Sequence, residues 1–399
     1  MLNTDNTSEQ SILLMIAGAK GAIGSTVAAT VAALQQAPEL ILPCLTTQNQ
    51  FAFLGASNAV FMMGWDTDPR SLLNSLEHHN ALPPPHWQPY MAYLDGIPIL
   101  EAPDISMNLG EQVDQLKSNI MTFQDQYPHA QPVLVNLLPS CPRADLDQMT
   151  SIEDLYASVA AARFPDLAYA LAAVQTGVPV VNFTPNKLEI PLLVNEAQKR
   201  GVPLAGRDGK TGQTYLKVVL ASALRARGLI VDGWYSLNIL GNADGRNLMN
   251  PECATGKLAH KTDLLDEVLG YAVGEQYDAP SHKVHIDYYP PRGDAKEAWD
   301  VIDFKGIFDL PMGLRLNWQG RDSVLAAPMV LDLARWAAAL RLVSCGGTIS
   351  ELGFYFKKAV GNHPPITFQE QVNCLEELAL EIVEKMSRND SSNGEVSKL

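Results

Sequence analysis

Positive charge is scarce in this chain. Its 399 residues carry 29 lysines and arginines against 44 aspartates and glutamates, a net charge of −15. That balance excludes the basic footprint of a nucleic-acid-binding protein. Charge of either sign is thin, at 18% of residues against 47% hydrophobic, which points to a well-buried α/β protein or a tight oligomer. An anionic substrate would need positive charge gathered in one place. Cysteine supplies no framework: Cys44, Cys141, Cys253, Cys345 and Cys374 form no Cys-x-x-Cys pair and share no spacing. An odd count of this kind excludes a disulfide scaffold and fits reduced thiols. No metal site is expected. The opening MLNTDNTSEQ lacks the basic start of a secretory leader. The apolar runs are too short, or too interrupted by Gly and Pro, to span a bilayer. The closing SRNDSSNGEVSKL reads as a disordered tail. The expectation is a cytoplasmic enzyme without nucleic-acid or membrane partners.

What is present is an alternation of strands and helices. ILLMIAG (12–18) is a short apolar run ending at glycine, and an alanine-rich helical pattern follows from Ser25 to Gln36. IPIL at 97–100 predicts a second strand and PVLVNLL at 132–138 a third. The helix LAYALAAVQTG runs directly into the strand VPVVNF, and LEIPLLVNEAQKRG into VPLAG. Such alternation predicts a doubly wound parallel sheet. After about Trp234 the texture changes to VHIDYYPP, AWDVIDFKGIF and GLRLNWQG, which read as a second, more open sheet. A long apolar helix, SVLAAPMVLDLARWAAALRLV, then leads to the C-terminal VNCLEELALEIVEKM. The Pro-rich NALPPPHWQPY (80–90) reads as a surface excursion.

Several polar clusters punctuate this frame. Gly18, Gly21 and Gly24 lie between the first strand and its helix, where missing side chains let a pyrophosphate approach backbone N–H groups. The Gly-x-x-Gly-x-x-Gly spacing fits a tight packing turn equally well. Asp66, in Gly64-Trp65-Asp66, is a candidate ribose contact about 40 residues on; at that distance it belongs to a different strand or is only a loop cap. GRDGKTGQT (206–214) follows a strand end and holds three glycines in nine residues, as a phosphate or ribose contact or as a capped solvated loop. LNILGNADGRN (237–247) runs a strand into a turn dense in Asn, Asp and Gly. Lys257 and Lys261 sit four residues apart, so on a helix they would share one face. On a surface the pair would mean nothing; in a cleft each would depress the other's pKa towards neutrality. Asp294 stands beside Lys296, free to pair with it or with a neighbour, and Asp322 is either a helix cap or the orienter of a lysine.

In this order NFTPN, GRDGKTGQT, SLNILGNADGRNL, GKLAHK, GDAK, RDSVLAAPMVLDL and LGFYFKKA resemble the inositol-3-phosphate synthases (myo-inositol-1-phosphate synthases) from about residue 164 to 360. The glycine turn and the Gly-Trp-Asp segment extend the likeness. The resemblance implies a Rossmann domain (1–235), an inserted α+β catalytic and tetramerisation domain (236–350), helices completing the Rossmann domain (351–387), the tail (388–399), NAD and a homotetramer. It carries the catalytic lysines onto Lys257, Lys261, Lys296 with its partner Asp294, and Lys358, with Lys357 as the one-residue-shifted alternative. Asp322 matches a lysine-orienting aspartate. Gly18, Gly21, Ala22, Ile23, Gly24, Asp66, Asp208, Asn242 and Asp244 match cofactor contacts, and Asn247 joins the lysines in binding substrate. The departures are Lys20, Ala22 and Ile23 in the glycine turn, Ala243 in the Asn-Asp-Gly turn, and Asn-Leu-Leu-Pro-Ser-Cys at 136–141, which lacks the relatives' acid.

The reaction the resemblance implies converts D-glucose 6-phosphate to 1D-myo-inositol 3-phosphate by oxidation at carbon 5, enolisation, aldol closure onto carbon 1 and reduction. Lysines suit such chemistry because ammoniums stabilise oxyanions and bind phosphate. The competing readings are an ordinary NAD(P)-dependent dehydrogenase and a silent homologue that binds NAD or a sugar phosphate.

Overall fold

The computed structural model describes residues 11–37, 39, 44–54, 59–141, 145–242, 245–246, 249, 264–276 and 278–396. Its first sheet uses β1 (Ile12–Ala17), β2 (Val60–Asp66), β3 (Ile99–Glu101), β4 (Gln131–Asn136), β5 (Val180–Asn182) and β6 (Pro203–Gly206). The chain then builds β7 (Ile230–Leu240), a small hairpin of β8 (Glu275–Gln276) and β9 (Ala279–Pro280), β10 (His282–Tyr288), β11 (Ala295–Lys305) and β12 (Pro311–Arg321). It returns to the first sheet as β13 (Gly347–Thr348).

The first sheet is parallel throughout, in the order β13-β6-β5-β4-β1-β2-β3. That is the Rossmann order extended by one strand. Helices cover both faces, so its strands read as continuous apolar runs. In β1, Ile12, Leu14 and Ile16 enter one core and Leu13, Met15 and Ala17 the other. The helix Ala22–Gln36 covers the first side and helices Leu109–Gln126 and Pro165–Gln175 the second.

The second sheet has the order β10-β7-β11-β12, with β10 parallel to β7 and the remaining pairs antiparallel. Trp234 and Ile302 on its inner face pack with Val218 and Ala221 of helix Gln213–Ala226. The inserted sheet thus spans Ile230–Arg321.

The apolar helix Asp322–Leu342 goes back to the Rossmann core, against β1, β4 and helix Ala22–Gln36. By length and composition alone it is able to cross a membrane, but 78% of its most apolar window is buried inside the protein. Two charged side chains, Asp332 and Arg335, are buried along its middle. Asp332 accepts from the backbone N–H groups of Leu45 (3.1 Å) and Thr46 (2.9 Å) and from the Thr46 hydroxyl. Arg335, 1% exposed, donates to that same hydroxyl at 3.0 Å. This buried network pins the connection between the first helix and β2 onto the central helix.

Three sequence expectations shift. IPIL supplies the third strand, at the sheet edge, because the second is Val60–Asp66 beyond the long 37–59 connection. Trp87 and Tyr90 of the Pro-rich excursion are buried in the core. The C-terminal helix runs Phe368–Val396, through most of the stretch expected to be disordered.

Removing Asp332 leaves Arg335 buried without the carboxylate that its hydroxyl bridge reaches. Asp332→Ala should lower unfolding free energy by about 3–5 kcal/mol, and Thr46→Val by about 1 kcal/mol. Denaturant midpoints measure both, and equal small losses would contradict the network.

Candidate active site

The glycine turn stands at the carboxyl end of β1. Gly18 takes a left-handed φ of +84°, and a Cβ there would lie 3.0 Å from the Leu137 carbonyl oxygen. At Gly24 a Cβ would fall 2.5 Å from the Gly18 carbonyl oxygen, so helix and turn pack backbone to backbone. At Gly21, the N-cap of helix Ala22–Gln36, the nearest atom would be 3.4 Å away. The turn is therefore closed at its first and third glycines and open at its second, above a helix N-terminus. That shape fits the phosphates of a nucleotide cofactor. Ala22 and Ile23 form the half-buried first turn of the helix.

Asp66 is the last residue of β2, directly beside this turn. Its carboxylate accepts from the Lys20 N–H at 2.7 Å and the Asp68 N–H at 2.9 Å. The spacing of about 40 residues reflects the long connection before β2 and not a more distant strand. Lys20 sends its ammonium sideways to the Asp68 carbonyl, 2.6 Å away. Arg70 hydrogen-bonds the Asp68 carboxylate and holds that acid down to about 2.

A second polar centre lies at the carboxyl ends of β5 and β6. The 206–210 loop pairs with the 355–360 segment through Val360 N–H to Gly206 O (2.9 Å), Lys357 N–H to Asp208 O (2.7 Å) and Lys210 N–H to Tyr355 O (2.8 Å). This pairing turns the Lys357 ammonium onto the Asp208 carboxylate at 2.7 Å. Lys358 points the other way and is exposed. Of the two alternatives in the Tyr-Phe-Lys-Lys-Ala stretch, Lys357 is thus the inward one, as alternate residues of an extended segment face opposite sides.

Lys296, on β11 and 9% exposed, reaches Asp322 at 3.2 Å. The Thr211 hydroxyl donates to the other Asp322 oxygen at 3.0 Å. Burial pushes the Asp322 carboxyl up, but the Lys296 and Lys357 ammoniums outweigh it and hold the group below its ordinary value. Both lysines therefore act on one carboxylate, and Asp322 orients a lysine without capping its own helix.

Asp294 departs from its expected role as partner of Lys296. Its Oδ1 is taken by the Asn242 amide at 3.2 Å and the Ser323 hydroxyl at 3.1 Å, and burial pushes its pKa up. Asn242, matched to a cofactor contact, is committed to this carboxylate and to the Gly245 N–H. Lys257, Lys261, Asp244 and Asn247 lie outside the described residues.

Residue spacing missed Trp318. Its ring lies 5.9 Å from the Lys296 ammonium and presses on Gly212, where a Cβ would come within 2.4 Å of the indole. The glycine that ends GRDGKTG is thus room for an aromatic wall beside the lysine. Also missed was a buried set beneath the second sheet. Lys217 meets His282 Nε2 at 2.9 Å, and Asp300 accepts from Gln213, Trp234 and Ser236. Burial pushes Lys217 down to about 8, against an opposing pull from Asp300, and His282 down to about 3. Among the described residues no His, Cys, Asp and Glu side chains group as a metal site, and Cys44, Cys345 and Cys374 are free thiols.

Fold and site define a class: a Rossmann-type α/β protein whose inserted sheet brings Lys296 to Asp322, close to the Lys357–Asp208 pair at the carboxyl edge of the parallel sheet. Residues 212–323 match the family model of myo-inositol-1-phosphate synthase. Inositol-3-phosphate synthase 1 of Bacteroides thetaiotaomicron is 41% identical over 185 residues, 46% of this chain and 43% of that protein. Inositol-3-phosphate synthase of Spirodela polyrhiza is 30% identical over 296 residues, 68% of this chain and 58% of that protein. The chain spans about half the length of these curated relatives. The crystal structure of inositol-3-phosphate synthase from Caenorhabditis elegans shares the fold, with a TM-score of 0.80 at 20% identity over 94% of this chain and 86% of that one. A myo-inositol-1-phosphate synthase-related protein from Thermotoga maritima does so at 0.74 and 21%, over 94% and 98%. The chain is a relative of the inositol-3-phosphate synthases through the region that carries Lys296 and Asp322.

The Lys217 ammonium carries a pH signature. Its folded pKa lies below the ordinary 10.5, so between pH 8 and 10 the unfolded chain binds a proton that the folded chain lacks, and stability rises with pH. Lys217→Met should remove up to about 1.4 kcal/mol per pH unit from that rise. Denaturant unfolding across this range measures it, and parallel profiles for variant and wild type would refute the assignment.

Proposed function

We propose that the chain is an NAD-dependent inositol-3-phosphate synthase, an isomerase that converts D-glucose 6-phosphate to 1D-myo-inositol 3-phosphate. The observation that carries this reading is the convergence of the Lys296–Asp322 and Lys357–Asp208 pairs on one carboxylate cluster. The cluster shares the carboxyl edge of the sheet with the open glycine turn, which is where ligands bind in such folds. Gly21 and the first N–H groups of helix Ala22–Gln36 would hold the cofactor phosphates, and Asp66 the ribose hydroxyls. Bound NAD would supply a reversible oxidation at carbon 5.

The chain's own residues account for the proton and charge chemistry. A ketone at carbon 5 acidifies the protons on carbon 6, and transfer of one of them to the substrate's own phosphate leaves negative charge on the carbon 5 oxygen. An ammonium from Lys296, fixed by Asp322 and Thr211, stabilises that charge. Lys357, held by Asp208, takes the place assigned to Lys358, at the phosphate or at the carbon 1 oxygen as the ring closes. Lys257 and Lys261 keep their roles in substrate binding and catalysis. Trp318 and the 206–212 loop exclude water around Lys296, which strengthens each of these contacts. The location proposed is cytoplasmic, with reduced thiols.

Purified chain with NAD should form inositol phosphate from glucose 6-phosphate without lasting growth of the reduced-nicotinamide absorbance. Lys296→Ala should lower kcat by about a hundredfold or more and leave NAD affinity nearly unchanged, while Lys358→Ala stays close to wild type. Steady accumulation of reduced nicotinamide would favour a dehydrogenase. Full turnover in Lys296→Ala would sink the mechanism.

A homotetramer is part of the proposal. The outer face of the second sheet exposes Tyr235 and Trp299, and the β11–β12 connection exposes Ile307 (77%) and Phe308 (84%). Apolar exposure of that size marks contact surfaces. Wild-type chain should sediment as a tetramer, and Ile307→Asp with Phe308→Asp should release smaller species. A monomeric wild type would refute it.

A further inference from the structure

Lys210 is 2% exposed, and among the described residues no acidic group acts on its charge. Its ammonium nitrogen donates to the Gly353 carbonyl at 3.1 Å and to Gln371 Oε1 at 2.6 Å. Gln371 is 3% exposed, and its amide nitrogen is committed to the Ile366 carbonyl at 3.1 Å. The side-chain oxygen of Gln371 is thereby aimed at Lys210. A methionine would fill the same volume without the cost of desolvating an amine. The chain nevertheless keeps the amine, and burial alone pushes it down to about 7.

The position of this amine accounts for it. Lys210 lies two residues beyond Asp208 and one before Thr211, in the loop that pairs with the 355–360 segment. Its own N–H holds Tyr355, and its side chain passes beneath that pairing to Gly353 and to the start of the C-terminal helix. Three parts of the chain therefore meet at one nitrogen: the loop carrying Asp208, the segment carrying Lys357, and helix Phe368–Val396. With one end of the pairing fixed at Gly206–Val360 and the other at Lys210, Lys357 has little freedom to leave Asp208.

We propose that Lys210 is a positioning residue for the Lys357–Asp208 pair, clamping the Lys357 segment and the C-terminal helix onto the Asp208 loop. The proposal rests on the synthase reading for its kinetic arm and on geometry alone for its labelling arm. A misplacement of about 1 Å at a charged group costs up to about a hundredfold in rate.

Lys210→Met should fold with an unchanged or higher melting temperature and bind NAD as wild type does. Its kcat for glucose 6-phosphate should fall by about tenfold or more while KM stays nearly constant. Added to Lys357→Met, it should cost nothing further, whereas an independent structural role would multiply the losses. Labelling with acetic anhydride, read by peptide mass spectrometry, should show Lys357 reacting about threefold faster or more with Lys296 unchanged. Should Lys210→Met fail to fold, Gln371→Leu removes the same contact from the helix side and should reproduce the kcat loss and the labelling. Gln371→Glu keeps the acceptor and should retain activity. Wild-type kcat in both Lys210→Met and Gln371→Leu, multiplied losses, or unchanged Lys357 labelling would each overturn the clamp. A wild-type chain that converts no glucose 6-phosphate sinks the synthase reading alone, and Lys357 labelling still decides the clamp.

Discussion

One carboxylate joins the two halves of this molecule. Asp322 follows directly on the last strand of the inserted sheet and begins the helix that fills the Rossmann core. Its two oxygens are shared between Lys296 of the inserted sheet and Thr211 of the loop after β6. A carboxylate in the first turn of a helix is favoured by the helix dipole, and two ammoniums outweigh the cost of its burial. If Asp322 moves, so do the lysine that depends on it and the entry angle of a helix that carries much of the core. Site and fold thus meet at one carboxylate.

The scarcity of positive charge makes that economy legible. With only 29 basic residues, few are left for a site, and those present are handled in two ways. Lys296 and Lys357 are each set on a carboxylate at the edge of the sheet. Lys210 and Lys217 are sunk where burial lowers their affinity for protons, with a carbonyl, an amide and an imidazole as neighbours. The first kind lies at the carboxyl edge of the sheet; the second lies beneath it, inside the packing. Burying an amine is costly unless its hydrogen bonds are met, and Lys210 and Lys217 each keep hydrogen-bond partners inside the packing.

The parallel sheet was readable because strands buried on both faces leave unbroken apolar runs, as in β1, and because glycines close the helices. β2 was not, since Val60–Asp66 is broken by Gly64 and follows a connection long enough to hide its tie to β1. Among site residues, type and order brought out Lys296 and Asp322, but pairing did not follow from proximity in sequence. Asp294 is two residues from Lys296 yet is captured by Asn242 and Ser323, while Asp322 lies 26 residues away and reaches it. The Lys357–Lys358 ambiguity was beyond sequence because it depends on which side of an extended segment faces the loop. Trp318 left one trace, the glycine at 212 whose missing side chain makes room for it.

The departures in the glycine turn become intelligible on the same terms. A lysine at position 20 would be disruptive if that position needed a left-handed backbone, but the turn's positive φ falls on Gly18 and not on Lys20. The Lys20 side chain swings away to the Asp68 carbonyl, and its N–H secures Asp66 at the strand end. Gly21 stays open above the helix N-terminus. Ala22 and Ile23 lie within the first helical turn, where substitution alters the packing beneath the cradle and leaves the N–H groups in place. The turn therefore combines the side chains at positions 20, 22 and 23 with a backbone left open above a helix N-terminus.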